Sequence, residues 1–581
     1  MMHLTRLLAG LALAALPVLA GAQALPSRAD PEAATGLAAK PLVRAGRQMI
    51  VTANPHATDA GLAMLRAGGS AADASIAALL VLNVVEPQSS GLGGGAFALV
   101  HGPDGLVSLD ARETAPMAAG PDWFLEDGAP LPWIEASESG RAIGVPGLPR
   151  LLETLHARHG RLPWADLFAP AIRLAAEGFA VSHRLAGMIE SGQARLARTE
   201  AGAVFLDGGA PLAEGSRLVQ PALAETLRTV AREGAAAIYG GPIAEAIVAA
   251  AARAPRPGAL GLADLAAYRV VERAPVCMSY RGRHRVCGMG PPSSGATTVG
   301  QILALMGRRK PADFDRESPY LWHLFAEASR LAYADRAAWL ADPDQVPVPV
   351  AGLLDPGYIA RRARLVHPFR AAEGEAEAGM PPGATLPAPG DGRTSPGTTH
   401  LSVIDAEGLA ISLTASIETA FGSGRIAAGM LLNNQLTDFS FRPLTEDGRP
   451  VANAPGPGKR PRSSMAPSIV YRAGETAPHI LIGSPGGSRI PEYVAGALIG
   501  MLDLGMDPAE AAALFHVSQR NRGAVTLEAG AMPPRLDAAL GALGHRVETA
   551  EMTSGLHILR IGADGLEGGA DPRREGLAAG D

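Results

Sequence analysis

The sequence predicts an α+β protein in which β-sheets are layered between helices. Three observations carry this. Helical patterns dominate up to about residue 365, alternating strands and then further helices follow residue 398, and a run rich in Ala, Glu, Gly and Pro separates the two. Strands followed by helices, packed against a helix-rich first part, bury their apolar faces most simply as sheets lying between helices.

The elements read in order. Residues 1–22 have the plan of an export signal: His3 and Arg6, an apolar stretch over residues 7–19, then Ala20-Gly21-Ala22 as a cleavage site. The apolar stretch is too short to span a membrane convincingly. The mature chain is therefore expected in the periplasm or outside the cell. Residues 23–47 read as loose. Helical patterns cover residues 57–67, which stop at Gly68-Gly69, and residues 71–84. Gly91-Leu92-Gly93-Gly94-Gly95 looks like a nucleotide-binding loop, but a strand over residues 96–101 follows it where such a loop needs a helix. The expectation is a tight turn with close backbone approach. Residues 162–177 read as one helix ended by Gly178, and residues 321–340 as a long helix. Gly290-Pro291-Pro292-Ser293-Ser294-Gly295 is a loop. Residues 370–397 look like an exposed linker. Strands follow at 401–404 and 409–416 around Ala406-Glu407-Gly408, then at 468–471 and 480–482. Helices at 491–504 and 508–515 follow, the second capped by Asp507 with proline in its first turn.

Composition narrows the function. The 581 residues are 47% hydrophobic, 19% charged and 4% aromatic, with a formal net charge of -6. That is the balance of a globular enzyme. No long Lys/Arg run exists, which argues against nucleic acid and anionic membranes as partners. No cluster has the ligand spacing of a zinc site, so no metal or cofactor is expected. Cys277 and Cys287 are the two cysteines and flank what reads as a hairpin around Gly282. An oxidising compartment would permit a disulfide there, and two unpaired core thiols are the alternative.

The junction Thr398-Thr399-His400 stands where the Pro/Gly-rich run meets a strand. Two β-branched residues starting a strand is the plain reading. The chemical reading is self-cleavage before Thr398, which would make its own α-amine the base for its hydroxyl. Other polar runs accompany it: Asp110-Ala111-Arg112-Glu113-Thr114-Ala115-Pro116, Asn433-Asn434-Gln435-Leu436-Thr437-Asp438-Phe439, Lys459-Arg460-Pro461-Arg462-Ser463-Ser464-Met465-Ala466-Pro467 and Gly483-Ser484-Pro485-Gly486-Gly487-Ser488-Arg489. So do Gly68-Gly69-Ser70-Ala71-Ala72-Asp73, Ala332-Tyr333-Ala334-Asp335-Arg336 and Ala570-Asp571-Pro572-Arg573. In order and approximate spacing this set resembles the γ-glutamyltransferase (glutathione hydrolase) family over nearly all of the mature chain.

The resemblance implies an N-terminal-nucleophile hydrolase fold, an αββα sandwich made as one precursor and cut at Gly397–Thr398. Residues 23–397 would form the large subunit and 398–581 the small one, a heterodimer of the chain's own products. Thr398 would be the nucleophile. Arg112, Ser463 and Ser464 would hold the α-carboxylate of a γ-glutamyl donor, where a guanidinium fork fits. Gln435 and Asp438 would hold its α-ammonium. The N–H groups of Gly486 and Gly487 would form the oxyanion hole. Ser416 stands at the position of a second threonine that supports the nucleophile; Glu418 stands where many relatives have asparagine and some have glutamate, and would accept from the substrate's ammonium. The stretch between Asp438 and Ser463 is shorter than in relatives with a full active-site lid and carries no tyrosine. The expected activity is γ-glutamyl hydrolysis or transfer, with water or an amine as acceptor. The rivals are a cephalosporin (glutaryl-amide) acylase on the same scaffold and an unprocessed, inactive binding protein.

Overall fold

A computed structural model describes residues 37–384, 390 and 397–581. The expected signal over residues 1–22 lies outside the described residues, as does most of 385–396. Among the described residues no helix is long and apolar enough to cross a membrane.

Fourteen strands build two sheets. They are β1 (Val43–Ala45), β2 (Met49–Thr52), β3 (Gly95–Gly102), β4 (Gly105–Ala111), β5 (Val271–Arg273), β6 (Val276–Tyr280) and β7 (His284–Gly288), then β8 (Gly397–Ile404), β9 (Ala410–Glu418), β10 (Ser468–Arg472), β11 (Pro478–Gly483), β12 (His557–Gly562), β13 (Gly565–Ala570) and β14 (Leu577–Gly580). One sheet runs β5-β4-β3-β9-β8-β2-β14 and the other β1-β13-β12-β11-β10-β7-β6, with every pairing antiparallel.

The side-chain period of two sorts each strand between layers. In β2, Ile50 enters a core shared with helices α1 (Pro55–Arg66) and α2 (Ala71–Val85), while Met49 and Val51 enter a core between the sheets. Leu99, Ile404, Ile469, Leu481 and Leu559 fill that same inter-sheet core. Beyond the second sheet, α3 (Gly295–Met306), α4 (Pro319–Trp339), α5 (Ile490–Leu502) and α6 (Pro508–Ala513) pack on Val286, Val470, Ile480 and Ile558. The layers are therefore helix, sheet, sheet, helix, as the resemblance implies.

Local chemistry explains several boundaries. Ser70 and Asp73 form a capping box on α2, and Asp507 and Glu510 form one on α6, with Pro508 in its first turn. The single helix expected over 162–177 is instead a 3₁₀ turn at Trp164–Phe168 followed by a helix at Ala169–Glu177. Pro163 and Pro170 explain the break, because neither can donate a backbone N–H. Cys277 and Cys287 face one another in the β6–β7 register and are disulfide-bonded. Arg281 and Gly282 turn that hairpin with φ of 52° and 66°.

The first part of the expected linker has no helix or strand, yet it is fastened. Ala371 N donates to Leu543 O at 2.7 Å, Ala376 N to Asn521 Oδ1 at 2.6 Å and Gly379 N to Asp335 Oδ1 at 2.8 Å.

Candidate active site

Strands β8 and β9 present Thr398 opposite Ser416, with a bulge between Gly397 and Thr398 that leaves Ile417 unmatched. Three hydrogen bonds meet at Ser416. Its Oγ accepts from Thr398 Oγ1 at 3.2 Å and from Glu418 N at 3.0 Å, and donates to Gly397 O at 2.7 Å. Ser416 thus touches both the expected nucleophile and the carbonyl it would attack. At Gly397 a Cβ would lie 2.5 Å from the carbonyl oxygens of Glu418 and Thr419, so only glycine fits there. Glu418 is buried with φ of 79°, a left-handed conformation that costs a side chain energy and marks a constrained position.

The glycine loop packs behind these strands. A Cβ at Gly93, Gly94 or Gly95 would come within 2.0 Å of Leu431 O, 2.2 Å of Ser416 O, or 2.5 Å of Glu113 Oε2. This is the close backbone approach expected from its sequence.

A second group of side chains surrounds Arg112, which follows the end of β4. Its Nη2 donates to Asp438 Oδ2 in a buried ion pair and to Arg462 O at 3.2 Å, and its Nε donates to Pro461 O at 3.1 Å. Asp438 ends a short 3₁₀ turn, Gln435–Asp438, and Gln435 Nε2 donates to the same Oδ2 at 2.9 Å. Asp438 Oδ1 and Gln435 Oε1 are buried and have no hydrogen-bond partner among the described residues. Burial pushes the Asp438 carboxyl up, against the pull of Arg112. Arg112 also lies 3.8 Å from Glu113, whose carboxyl burial raises to about 8.

Ser463 and Ser464 adjoin the carbonyls that hold Arg112. Ser463 Oγ accepts from Met465 N at 3.1 Å, and Ser464 Oγ from Arg336 Nη2 at 2.6 Å. The Arg112 cluster and the β8–β9 pair are stitched by Asn434, whose Oδ1 accepts from Thr419 N at 3.1 Å, one residue from Gln435.

Gly486 and Gly487 follow β11 with φ of 132° and 59°. A Cβ on Gly486 would strike the Tyr493 ring at 2.4 Å. Neither amide donates to an acceptor among the described residues. Arg574 joins this loop to Thr398: it donates to Thr398 O at 3.4 Å and Ser554 O at 3.0 Å, while neighbouring Gly555 N donates to Ser484 Oγ at 3.0 Å.

His400 bonds Thr414 Oγ1 at 2.8 Å and Ser402 Oγ at 3.2 Å, and stacks on His557. Burial holds it well below the usual histidine range, hence neutral. Sequence reasoning gave no role to Glu113, Ser294, Arg336 or Arg574. All four sit in or next to runs named above, and the available signal was adjacency: Glu113 follows Arg112, Ser294 lies in Gly290-Pro291-Pro292-Ser293-Ser294-Gly295, Arg336 closes Ala332-Tyr333-Ala334-Asp335-Arg336, and Arg574 follows Ala570-Asp571-Pro572-Arg573.

The profile of the Gamma-glutamyltranspeptidase family matches residues 57–581. The chain belongs to the γ-glutamyltranspeptidase family. Among its relatives, a "Glutathione hydrolase proenzyme" of Escherichia coli (strain K12) is 36% identical over 543 residues, covering 91% of each chain. An "Acylase ACY 1 proenzyme" of Pseudomonas sp. (strain V22) is also 36% identical over 543 residues, covering 91% of this chain and 93% of that one. A cephalosporin acylase structure from Bacillus halodurans superposes with a TM-score of 0.83 at 27% identity, covering 95% of this chain and 99% of that one. This γ-glutamyltranspeptidase-family chain is thus an N-terminal-nucleophile hydrolase.

Proposed function

We propose that the enzyme cleaves γ-glutamyl amides, glutathione among them, through an acyl-enzyme on Thr398. One observation carries the choice of acyl group. Asp438 Oδ1 and Gln435 Oε1 are buried acceptors without donors among the described residues. An unfilled buried acceptor is costly, and an α-ammonium has three N–H donors to fill them. A glutaryl group has none. Arg112, Ser463 and Ser464 then take the α-carboxylate.

Processing comes first. Thr398 Oγ1 adds to the Gly397 carbonyl carbon while its proton leaves through Ser416, whose hydroxyl already polarises that carbonyl. The C–N bond breaks, its nitrogen takes a proton, and the ester left behind is hydrolysed by water. The new α-amine, with a pKa near about 8, then serves as base. In turnover the amine takes the Thr398 proton, Oγ1 attacks the γ-carbonyl, and the developing oxyanion accepts from Gly486 and Gly487 N–H. The leaving amine receives the proton, and water or another amine releases the acyl group. The products are large and small subunits that remain together.

Likeness to an acylase structure over nearly the whole chain favours a second reading, glutaryl-amide hydrolysis. Turnover of γ-glutamyl-p-nitroanilide beside glutaryl-p-nitroanilide, on protein that a denaturing gel shows as two bands, decides between them. A kcat/KM higher for the glutaryl substrate would refute the γ-glutamyl reading.

A further inference from the structure

Ser463 and Ser464 are braced from behind by one buried guanidinium. Arg336, near the end of α4, donates Nη2 to Ser464 Oγ at 2.6 Å and Nε to Ser294 Oγ at 2.8 Å. Ser294 passes the contact on, donating Oγ to Ser463 O at 2.7 Å and its backbone N to the same oxygen at 2.8 Å.

These bonds fix the polarity of the two serines. A hydroxyl can accept, but it has a single proton to donate. Ser464 Oγ accepts from Arg336, and Ser463 Oγ accepts from Met465 N. Neither serine donates its own proton to any described residue, so both O–H groups remain for an acceptor-only ligand such as a carboxylate. The charge points the same way. Arg336 is buried and forms no ion pair among the described residues, and Asp438 is the one carboxylate whose field reaches it. A buried cation of that kind is costly unless an anion joins it.

We propose that Arg336 is a positioning residue for the α-carboxylate of the acyl donor, acting through Ser464 directly and through Ser294 on Ser463. The inference rests on the acyl-donor reading above. It gives a role to the Ser293-Ser294-Gly295 loop, and it adds a second guanidinium, after Arg112, that the expected large subunit brings to the small subunit's serines. A purely structural Arg336 would brace the same segments without affecting substrate affinity selectively.

The test uses the full, self-cleaved enzyme and γ-glutamyl-p-nitroanilide. Arg336→Gln should raise KM by about 10- to 100-fold, the range lost with a charge-assisted hydrogen bond, with kcat within about threefold. Arg336→Lys should fall between, because one ammonium cannot reproduce the fork. Ser464→Ala should raise KM too, and the double variant should be far less impaired than the product of the singles. A fall in kcat with KM unchanged, or fully multiplicative losses, would overturn the proposal. If Arg336→Gln does not cleave or fold, Ser294→Ala supplies the same readout: KM should rise with kcat kept, and an unchanged KM overturns the proposal. Were the wild type to turn over glutaryl-p-nitroanilide alone, the γ-glutamyl reading would fail. The KM comparison would then be made on that substrate, which carries the matching carboxylate.

Discussion

Arg112 and Asp438, 326 residues apart in sequence, neutralise one another inside the site. A zwitterionic γ-glutamyl group offers each of them a new partner of the right sign, carboxylate for Arg112 and ammonium for Asp438. This pair is charge-matched before and after binding. Asp438→Asn keeps the shape and removes the charge. It should lower kcat/KM for γ-glutamyl-p-nitroanilide by about 100-fold, from loss of a charged hydrogen bond in a buried site, and for glutaryl-p-nitroanilide by much less. Parallel losses on both substrates would mean that Asp438 acts only by holding Arg112.

Processing should depend on Ser416 in the same local way. Thr398→Ala should remain a single uncut chain without activity. Ser416→Ala removes the donor to Gly397 O and should slow cleavage into pieces of about 40 and 20 kDa by roughly 100-fold, the cost of losing one preorganised donor. A denaturing gel followed over time, with the small piece sequenced from Thr-Thr-His, measures it. Cleavage of Ser416→Ala at the wild-type rate would remove Ser416 from the mechanism.

What could be read from the sequence was what is encoded locally. The β8–β9 hairpin, the α2 and α6 helices and the glycine loop follow from alternation, caps and glycine spacing. The sheet order does not, because β2 pairs with β14 across more than 500 residues and each strand is four residues long. The apolar period over residues 162–177 masks the break that Pro163 and Pro170 impose. In the site, Thr398, Arg112 and Asp438 were recognisable as motif residues, yet their partners were not. Nothing in the chain order says that Arg112 bonds Asp438, or that Arg336 bonds Ser464. Burial, and not its neighbours in sequence, gives Glu113 an unusual carboxyl.

Gly397 should tolerate no side chain. Gly397→Ala would push its Cβ against two carbonyl oxygens at 2.5 Å, which either displaces β9 or moves the scissile carbonyl away from Thr398 Oγ1. Cleavage should stop or slow by at least about tenfold, since small misplacements of a reacting carbonyl are expensive. Wild-type processing in Gly397→Ala would show that the bulge relaxes without consequence.

The buried Glu113 predicts a pH dependence of stability. Its carboxyl, ordinarily near 4.5, is raised to about 8 by burial, so the folded protein holds a proton that the unfolded chain has released. Folding takes up that proton between about pH 4.5 and 8, and stability from this group falls as pH rises through that window. Glu113→Gln cannot titrate. The Tm of Glu113→Gln relative to wild type should therefore climb from pH 5 to pH 8 and level off above it. A constant Tm difference over that range would mean the carboxyl is ionised throughout.

The stretch between Asp438 and Ser463 predicts how the acyl-enzyme is resolved. It folds on itself: Leu444 bridges Pro450, Asn453 Nδ2 donates to Asp438 O at 2.7 Å, and Lys459 Nζ donates to Ala452 O and Ala454 O at 2.7 and 2.8 Å. Residues 443–451 close on themselves, with Val451 N donating to Pro443 O at 2.9 Å, Leu444 is 51% exposed, and the stretch contains no tyrosine to lay over Thr398. A site left open to solvent loses its acyl group to water, which outnumbers any acceptor. Glycylglycine should therefore raise the nitroaniline rate from γ-glutamyl-p-nitroanilide by less than about twofold, and free glutamate should be the main product. The kinetics remain ping-pong, because an acyl-enzyme forms on either route. Strong stimulation, with γ-glutamyl-glycylglycine dominant at moderate acceptor, would show that another part of the chain closes the site.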